Sequence, residues 1–127
     1  MGQEIFIFVS NLIIPIMMLF FGITFKNQGP KKINGFYGYR TSMSMKNKET
    51  WDFAHRYCGK LWTKLGVITL FLSIIISLII LNFDEKIQGI VVAVVVTAQT
   101  ILLIASIFPV EKELKKNFDK DGNRRIK

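Results

Sequence analysis

The sequence predicts an all-α integral membrane protein with three transmembrane helices, its N-terminus outside and its C-terminus inside. Three observations carry that reading. The chain has 127 residues, the size of one domain, and half of them are hydrophobic. Those apolar residues collect in blocks: Ile5–Phe25, Leu65–Phe83 and Ile87–Val110 run for 21, 19 and 24 residues without a charged side chain. A hydrocarbon core of about 30 Å takes roughly 20 helical residues at about 1.5 Å each, so every block is long enough to cross. A soluble bundle would show a polar stripe every three or four residues, and VVAVVVTAQTILLIASIF shows none. Lastly, the charges are distributed unequally between the blocks.

The first span is expected at about 5–25. MGQEIF lacks a basic n-region and no small-residue cleavage site follows, so this block is read as a retained helix and not a signal peptide. Gly2 follows the first Met, but Phe6 stands where myristoylation needs Ser or Thr. Pro15 removes a backbone N–H near the middle of the span, which predicts a kink around Leu12–Pro15. Ser10 and Asn11, just before it, can bond to the freed carbonyls or to a neighbouring helix.

Residues 26–62 then form a loop. KNQGPKK is a turn broken at Gly29-Pro30, and Gly35 and Gly38 bracket the aromatic pair Phe36-Tyr37. From Asn47, a good N-cap, the pattern turns helical, with Glu49 and Asp52 early where the helix dipole favours negative charge. Trp51, Ala54, Cys58, Leu61 and Leu65 make one apolar stripe, and Asp52 is spaced to pair with Arg56. This amphipathic helix lies in the interface or runs straight into the second span, expected at about 63–83, with Gly59 the cheapest place for a bend.

The turn Asp84-Glu85-Lys86 is so short that the second and third spans should form an antiparallel hairpin. The third span, about 87–110, carries Gly89, Ala93, Thr97 and Ala105 at multiples of four, a stripe that admits a close neighbour in the bundle or in a homodimer. Gln99 sits near its midpoint, where an amide hydrogen-bonds another helix or contacts a ligand. A basic tail, 111–127, follows.

Between Lys26 and Lys64 there are nine basic residues against two acids, and after Val110 seven against four. The Asp84–Lys86 turn is net negative. By the positive-inside rule the loop and tail face the cytoplasm. The net charge of +8 therefore reflects topology, with anionic lipids as partners of loop and tail, and direct nucleic-acid binding is not expected. Cys58 is the only cysteine, so an intramolecular disulfide is excluded.

Catalytic and metal chemistry are not expected. Glu49, Asp52, His55 and Cys58 recur every three residues, but no second cluster of His or Cys completes a metal site. No nucleophile elbow, zinc-protease helix or phosphate-binding glycine loop occurs, so no catalytic residue and no cofactor is assigned. Arg40 in G-Y-R-T is a candidate clamp for a lipid phosphate or a carboxylate, or a staple to Glu49 or Asp52 within the loop.

The run NGFYGYRTSMSMKNKETWDFAHRYCGKLW resembles the signature of the SdpI/YfhL family of bacterial membrane proteins. Asn34, Gly38, Arg40, Thr41, Ser44, Trp51, His55, Gly59 and Lys60 occupy the matching places. Ser42 departs from it, since many members have proline after the Arg-Thr pair. The resemblance implies a multi-pass protein of the bacterial cytoplasmic membrane that gives immunity to a secreted toxin peptide. It also implies inward signalling, in which a transcriptional repressor is held at the membrane; the member known for this is longer, with further spans before the signature. Two other readings stand beside immunity: a cytoplasm-facing docking module for a regulator, and a small lipid-handling enzyme or transporter.

Overall fold

A computed structural model of the chain describes residues 2–125. It contains four helices, α1 (Gly2–Asn27), α2 (Lys48–Ile80), α3 (Glu85–Ala105) and α4 (Ile107–Asn117). α1, α2 and the nearly continuous α3–α4 run are each long and apolar enough to cross a membrane. α1 packs along α2, and α3 lies mainly against α1.

The bundle has its apolar side chains outside and its polar ones inside. Phe20, Phe71, Leu78, Val94 and Ile104 are exposed, whereas Asn11, Ser73, Ser77, Gln88 and Gln99 are buried. In water that arrangement would be costly; in lipid it is what a helix bundle requires, because polar groups can be satisfied only within the protein. Pro15 explains one of the contacts. It has no N–H for the carbonyl of Asn11, and Gln99 Nε2 supplies the donor from α3 at 2.8 Å. The same nitrogen donates to Ser73 Oγ on α2 at 2.8 Å, and Asn11 Nδ2 donates to Ser77 Oγ at 2.9 Å. The freed carbonyl is thus served by a neighbouring helix, while the Asn11 side chain reaches across to α2.

α2 is one unbroken helix of 33 residues, so the amphipathic segment runs straight into the second span. Gly59 marks no bend. A Cβ there would lie 2.7 Å from Gly22 O and closer still to Lys26 N, so the glycine lets the backbones of α1 and α2 touch. This crossing sets Lys26 level with Gly59; the segment of α2 before it, which holds His55, stands beyond the end of the first span. The side chain of Asn47 caps α2 by accepting from Thr50 N, and Thr50 Oγ1 accepts in return from Asn47 N.

At the hairpin, Asp84 caps α3 by accepting from Ile87 N. Gln88 Nε2 donates to the carbonyls of Leu81 and Phe83 at the end of α2, and to that of Ile80, which also accepts from Phe83 N. The third apolar block is not a single helix through Val110. It breaks at Ser106, because Pro109 has no N–H for the carbonyl of Ala105 and its ring crowds that carbonyl. The tail, expected only as a basic extension, folds back as α4 and a hook. Phe118 pairs with Arg124 in an antiparallel bridge, and Asn47 Nδ2 donates to Gly122 O at 2.7 Å. The last two residues of the expected 111–127 tail lie outside the described residues, as does Met1.

Candidate functional site: a loop clasp around His55

The loop between α1 and α2 has no regular secondary structure, yet its polar groups close on one another. Asn34 Oδ1 accepts from the N–H of Phe36 (2.9 Å) and of Tyr37 (2.7 Å), turning the chain. Arg40 Nη1 donates to Gly35 O at 2.6 Å, closing that turn from outside. Gly38 takes φ = +116°, a conformation costly for any side chain, and a Cβ on it would lie 2.6 Å from His55 Nε2. The turn at Gly38 brings the Tyr39 N–H onto His55 Nε2 at 2.8 Å.

His55 is fixed from both ring nitrogens. Because Nε2 accepts from Tyr39, Nδ1 carries the proton and donates to Trp51 O at 2.7 Å. The ring lies against Trp51 (centroids 4.3 Å apart) and edge-on to Phe25 (4.9 Å). Burial holds the imidazole below the usual histidine value; its bond to the Trp51 carbonyl and the charge of Asp52 act the other way. His55 is therefore neutral and is 1% exposed. Trp51 Nε1 donates to Pro30 O at 2.7 Å, so the same helical turn holds the start of the loop as well.

The side chain of Tyr39 reaches α4. Its hydroxyl donates to Glu111 Oε2 at 2.6 Å, and Thr41 Oγ1 donates to the same oxygen at 2.9 Å. Burial, reinforced by the Glu111 carboxylate, raises the Tyr39 pKa above the ordinary phenol value. Ser44 Oγ accepts from Thr41 N (2.9 Å) and donates to Tyr39 O (3.0 Å), while Thr50 Oγ1 donates to Ser44 O (3.0 Å). Beneath lies an apolar cluster of Tyr39, Met43, Ala54, Cys58, Val110, Leu114 and Phe118. Burial pushes the Cys58 thiol up to about 12, which leaves it an inert packing group.

Of the residues singled out in the sequence, Asn34, Gly38, Arg40, Thr41, Ser44, Trp51 and His55 meet in this clasp. Gly59 belongs to the α1–α2 crossing, Lys60 is exposed on α2, and Asn11 and Gln99 sit in the intramembrane cluster. Two expected ion pairs are replaced. Arg40 is exposed and bonds a loop carbonyl, and Glu49 pairs with Arg124 (2.9 Å) of the hook. Asp52 pairs with Lys48 (2.6 Å), one turn before it, and not with Arg56. Glu111, which accepts from Thr41 of the motif and from its neighbour Tyr39, was not legible as a partner; its one signal is being the first acid after the third apolar block. Among the described residues, no three His, Cys, Asp or Glu side chains gather to hold a metal ion.

No solved structure matches the chain. The uncharacterized protein YfhL of Bacillus subtilis (strain 168) is 40% identical over 52 residues, which cover 41% of this chain and 47% of that protein. The match thus spans about half the length of the relative. The family model described as the SdpI/YfhL protein family matches residues 31–110, which include the clasp from Asn34 to His55, both later spans and the start of α4. With three apolar helices of spanning length and a family match over most of its residues, this chain is a multi-pass membrane protein that belongs to the SdpI/YfhL family.

Proposed function

We propose that this protein protects a bacterial cell against a secreted, membrane-acting toxin peptide, from a position in the cytoplasmic membrane with its N-terminus out. Family membership over residues 31–110 is the observation that carries this reading. The basic charge between Lys26 and Lys64 supports an inward-facing clasp, and with it an outward-facing α2–α3 hairpin. A toxin peptide then meets the hairpin half of the bundle, on the side opposite His55. The clasp joins the α1–α2 turn, α2 and α4 through Pro30, Tyr39 and Glu111, so a shift of one helix is felt by the other two.

The direct test is expression of the chain in a toxin-sensitive bacterium, followed by challenge with the peptide toxins of related strains. Survival at doses that kill the empty-vector strain is expected. Unchanged killing by all of them, at verified membrane expression, removes the immunity reading.

A second reading, recruitment of a transcriptional repressor to the inner face, draws on one surface. Phe36 is 94% exposed beside exposed Tyr37 and Arg40, an aromatic and basic edge suited to a protein partner. Pull-down of a soluble regulator that is lost on Phe36→Ala or Arg40→Ala favours it. A nearby crevice of about 200 Å³ lined by Lys31, Lys48, Asp52 and Arg56 suits the phosphate of an anionic lipid headgroup.

A further inference from the structure

The turn from Asn34 to Tyr37 lies back against the first span. The Tyr37 ring packs on Phe21 (centroids 6.0 Å apart) and on Phe25 (5.8 Å), both inside the first uncharged block. A Cβ on Gly22 would meet Thr63, and one on Gly59 would meet Lys26, so Phe21–Lys26 of α1 runs level with Gly59–Lys64 of α2. Lys64 is the last charge before 19 uncharged residues. This level is the boundary between headgroups and acyl chains, where aromatic rings and basic side chains collect. Phe36 is one residue, about 3.8 Å of backbone, from Tyr37 and is 94% exposed.

The backbone of the turn suits that place. Asn34 Oδ1 takes the N–H groups of Phe36 and Tyr37, Arg40 Nη1 takes the carbonyl of Gly35, and His55 takes the N–H of Tyr39. Irregular backbone enters apolar surroundings only when its polar groups are satisfied within the protein. Arg40 is exposed, and its bond to Gly35 O uses one of five N–H donors. Among the described residues no carboxylate pairs with it.

We propose that Phe36 and Arg40 form a seat for one anionic phospholipid, with the Phe36 ring among the acyl chains and the Arg40 guanidinium on the headgroup phosphate. Three observations select this occupant. The edge continues the lipid-facing surface of α1, since Tyr37 rests on Phe21 and Phe21 on Phe20, which is 64% exposed. The turn carries its own hydrogen bonds into the boundary. Finally, Lys26–Lys48 holds six basic residues and no acid, a field that draws anionic headgroups, and a guanidinium fits a phosphate with two parallel N–H bonds. The inference rests on the membrane spans and is independent of the immunity reading. It competes with the soluble regulator for the same edge.

The experiment uses the full ¹⁵N-labelled chain in lipid nanodiscs. Lipids carrying a nitroxide at acyl carbon 5 should broaden the Phe36 amide as strongly as that of Val67, a lipid-facing residue of α2. A soluble gadolinium chelate should broaden it less than Asp121 in the exposed hook. Stepwise replacement of phosphatidylcholine by phosphatidylglycerol should shift the Arg40 Nε resonance saturably. Arg40→Gln, which keeps a donor for Gly35 O, should weaken the response read at the Phe36 amide about five-fold, the worth of one basic side chain near an anionic surface. Protection of the Tyr39 amide should stay unchanged in that variant. Gadolinium broadening at Phe36 equal to that at Asp121 overturns the proposal. So does an Arg40 resonance that phosphatidylglycerol leaves unmoved, or that soluble glycerol phosphate shifts equally. A regulator captured through a water-exposed Phe36 and lost on Phe36→Ala gives the edge to a protein and overturns it too. The relaxation comparison uses the parent protein and stands even if a variant does not fold.

Discussion

Replacing His55 by leucine tests whether the clasp is held by hydrogen bonds or by packing. Leucine keeps an apolar body of broadly similar size under Trp51 and Phe25 but cannot accept from the Tyr39 N–H, now 2.8 Å from Nε2. A buried N–H left unpaired costs about 1–3 kcal/mol, and about 1.4 kcal/mol is a factor of ten. The Tyr39 amide should therefore exchange with deuterium roughly ten- to hundred-fold faster, read by NMR in micelles, while amides near Gly66 in the α1–α2 core keep their rates. Acid should do the same to the parent protein. Burial holds His55 below the ordinary histidine value of about 6.5, so the unfolded loop takes up a proton at a pH where the folded one does not. The contribution to stability is full above about pH 6.5 and falls as the pH drops through it toward the folded value. Lys48 adds to this shift and Asp52 opposes it. Between pH 7.5 and 5.5, after correction for intrinsic exchange, opening should rise up to about ten-fold in the parent and stay flat in His55→Leu. Parent-like protection of Tyr39 in the leucine variant would refute the assignment of His55 as the acceptor that locks the loop.

Gly59→Ala should destabilise the bundle by about 1–3 kcal/mol in detergent unfolding, because the new Cβ meets the backbones of Gly22 and Lys26. Gly89→Ala, with nothing within 4 Å of its Cβ, is the control and should be neutral or slightly stabilising. Gln99→Leu should cost about 0.6–2 kcal/mol by leaving Asn11 O and Ser73 without their donor, and less in a Pro15→Ala background, where residue 15 regains an N–H for Asn11 O. An additive double mutant would disprove that link. In a spectrophotometric titration, one of the three tyrosines should stay protonated into strong alkali while the fold persists, and Tyr39→Phe should remove that late component.

Amino-acid order alone determined the three spans, the helical reading from Asn47 onward and the Asn47 cap. Each follows from local chemistry: uncharged runs of spanning length, a 3.6-residue period, and a side chain able to meet a free N–H. The Asn34–Trp62 stretch also identified its family by residue types and spacing. The tertiary structure decided how those residues are used. Gly59 reads as a bend in sequence because flexibility is a local property, but the close approach of α1 makes it a contact point. Arg40 reads in sequence as a clamp for a lipid phosphate or carboxylate, or as a staple to Glu49 or Asp52; the hook brings Arg124 to Glu49 from 75 residues away. The partnership of Tyr39 and Thr41 with Glu111, some 70 residues on, depends on the helix breaking at Ser106 so that α4 folds under the loop. Pro109 causes that break, which the reading of one span through Val110 missed; where the redirected chain lands depends on the packing of Phe118, Leu114 and Val110 against α2. Intramembrane pairing divides in the same way. Pro15 announces an unpaired carbonyl at Asn11, whereas the choice of Gln99 as its donor belongs to the height at which α3 crosses α1.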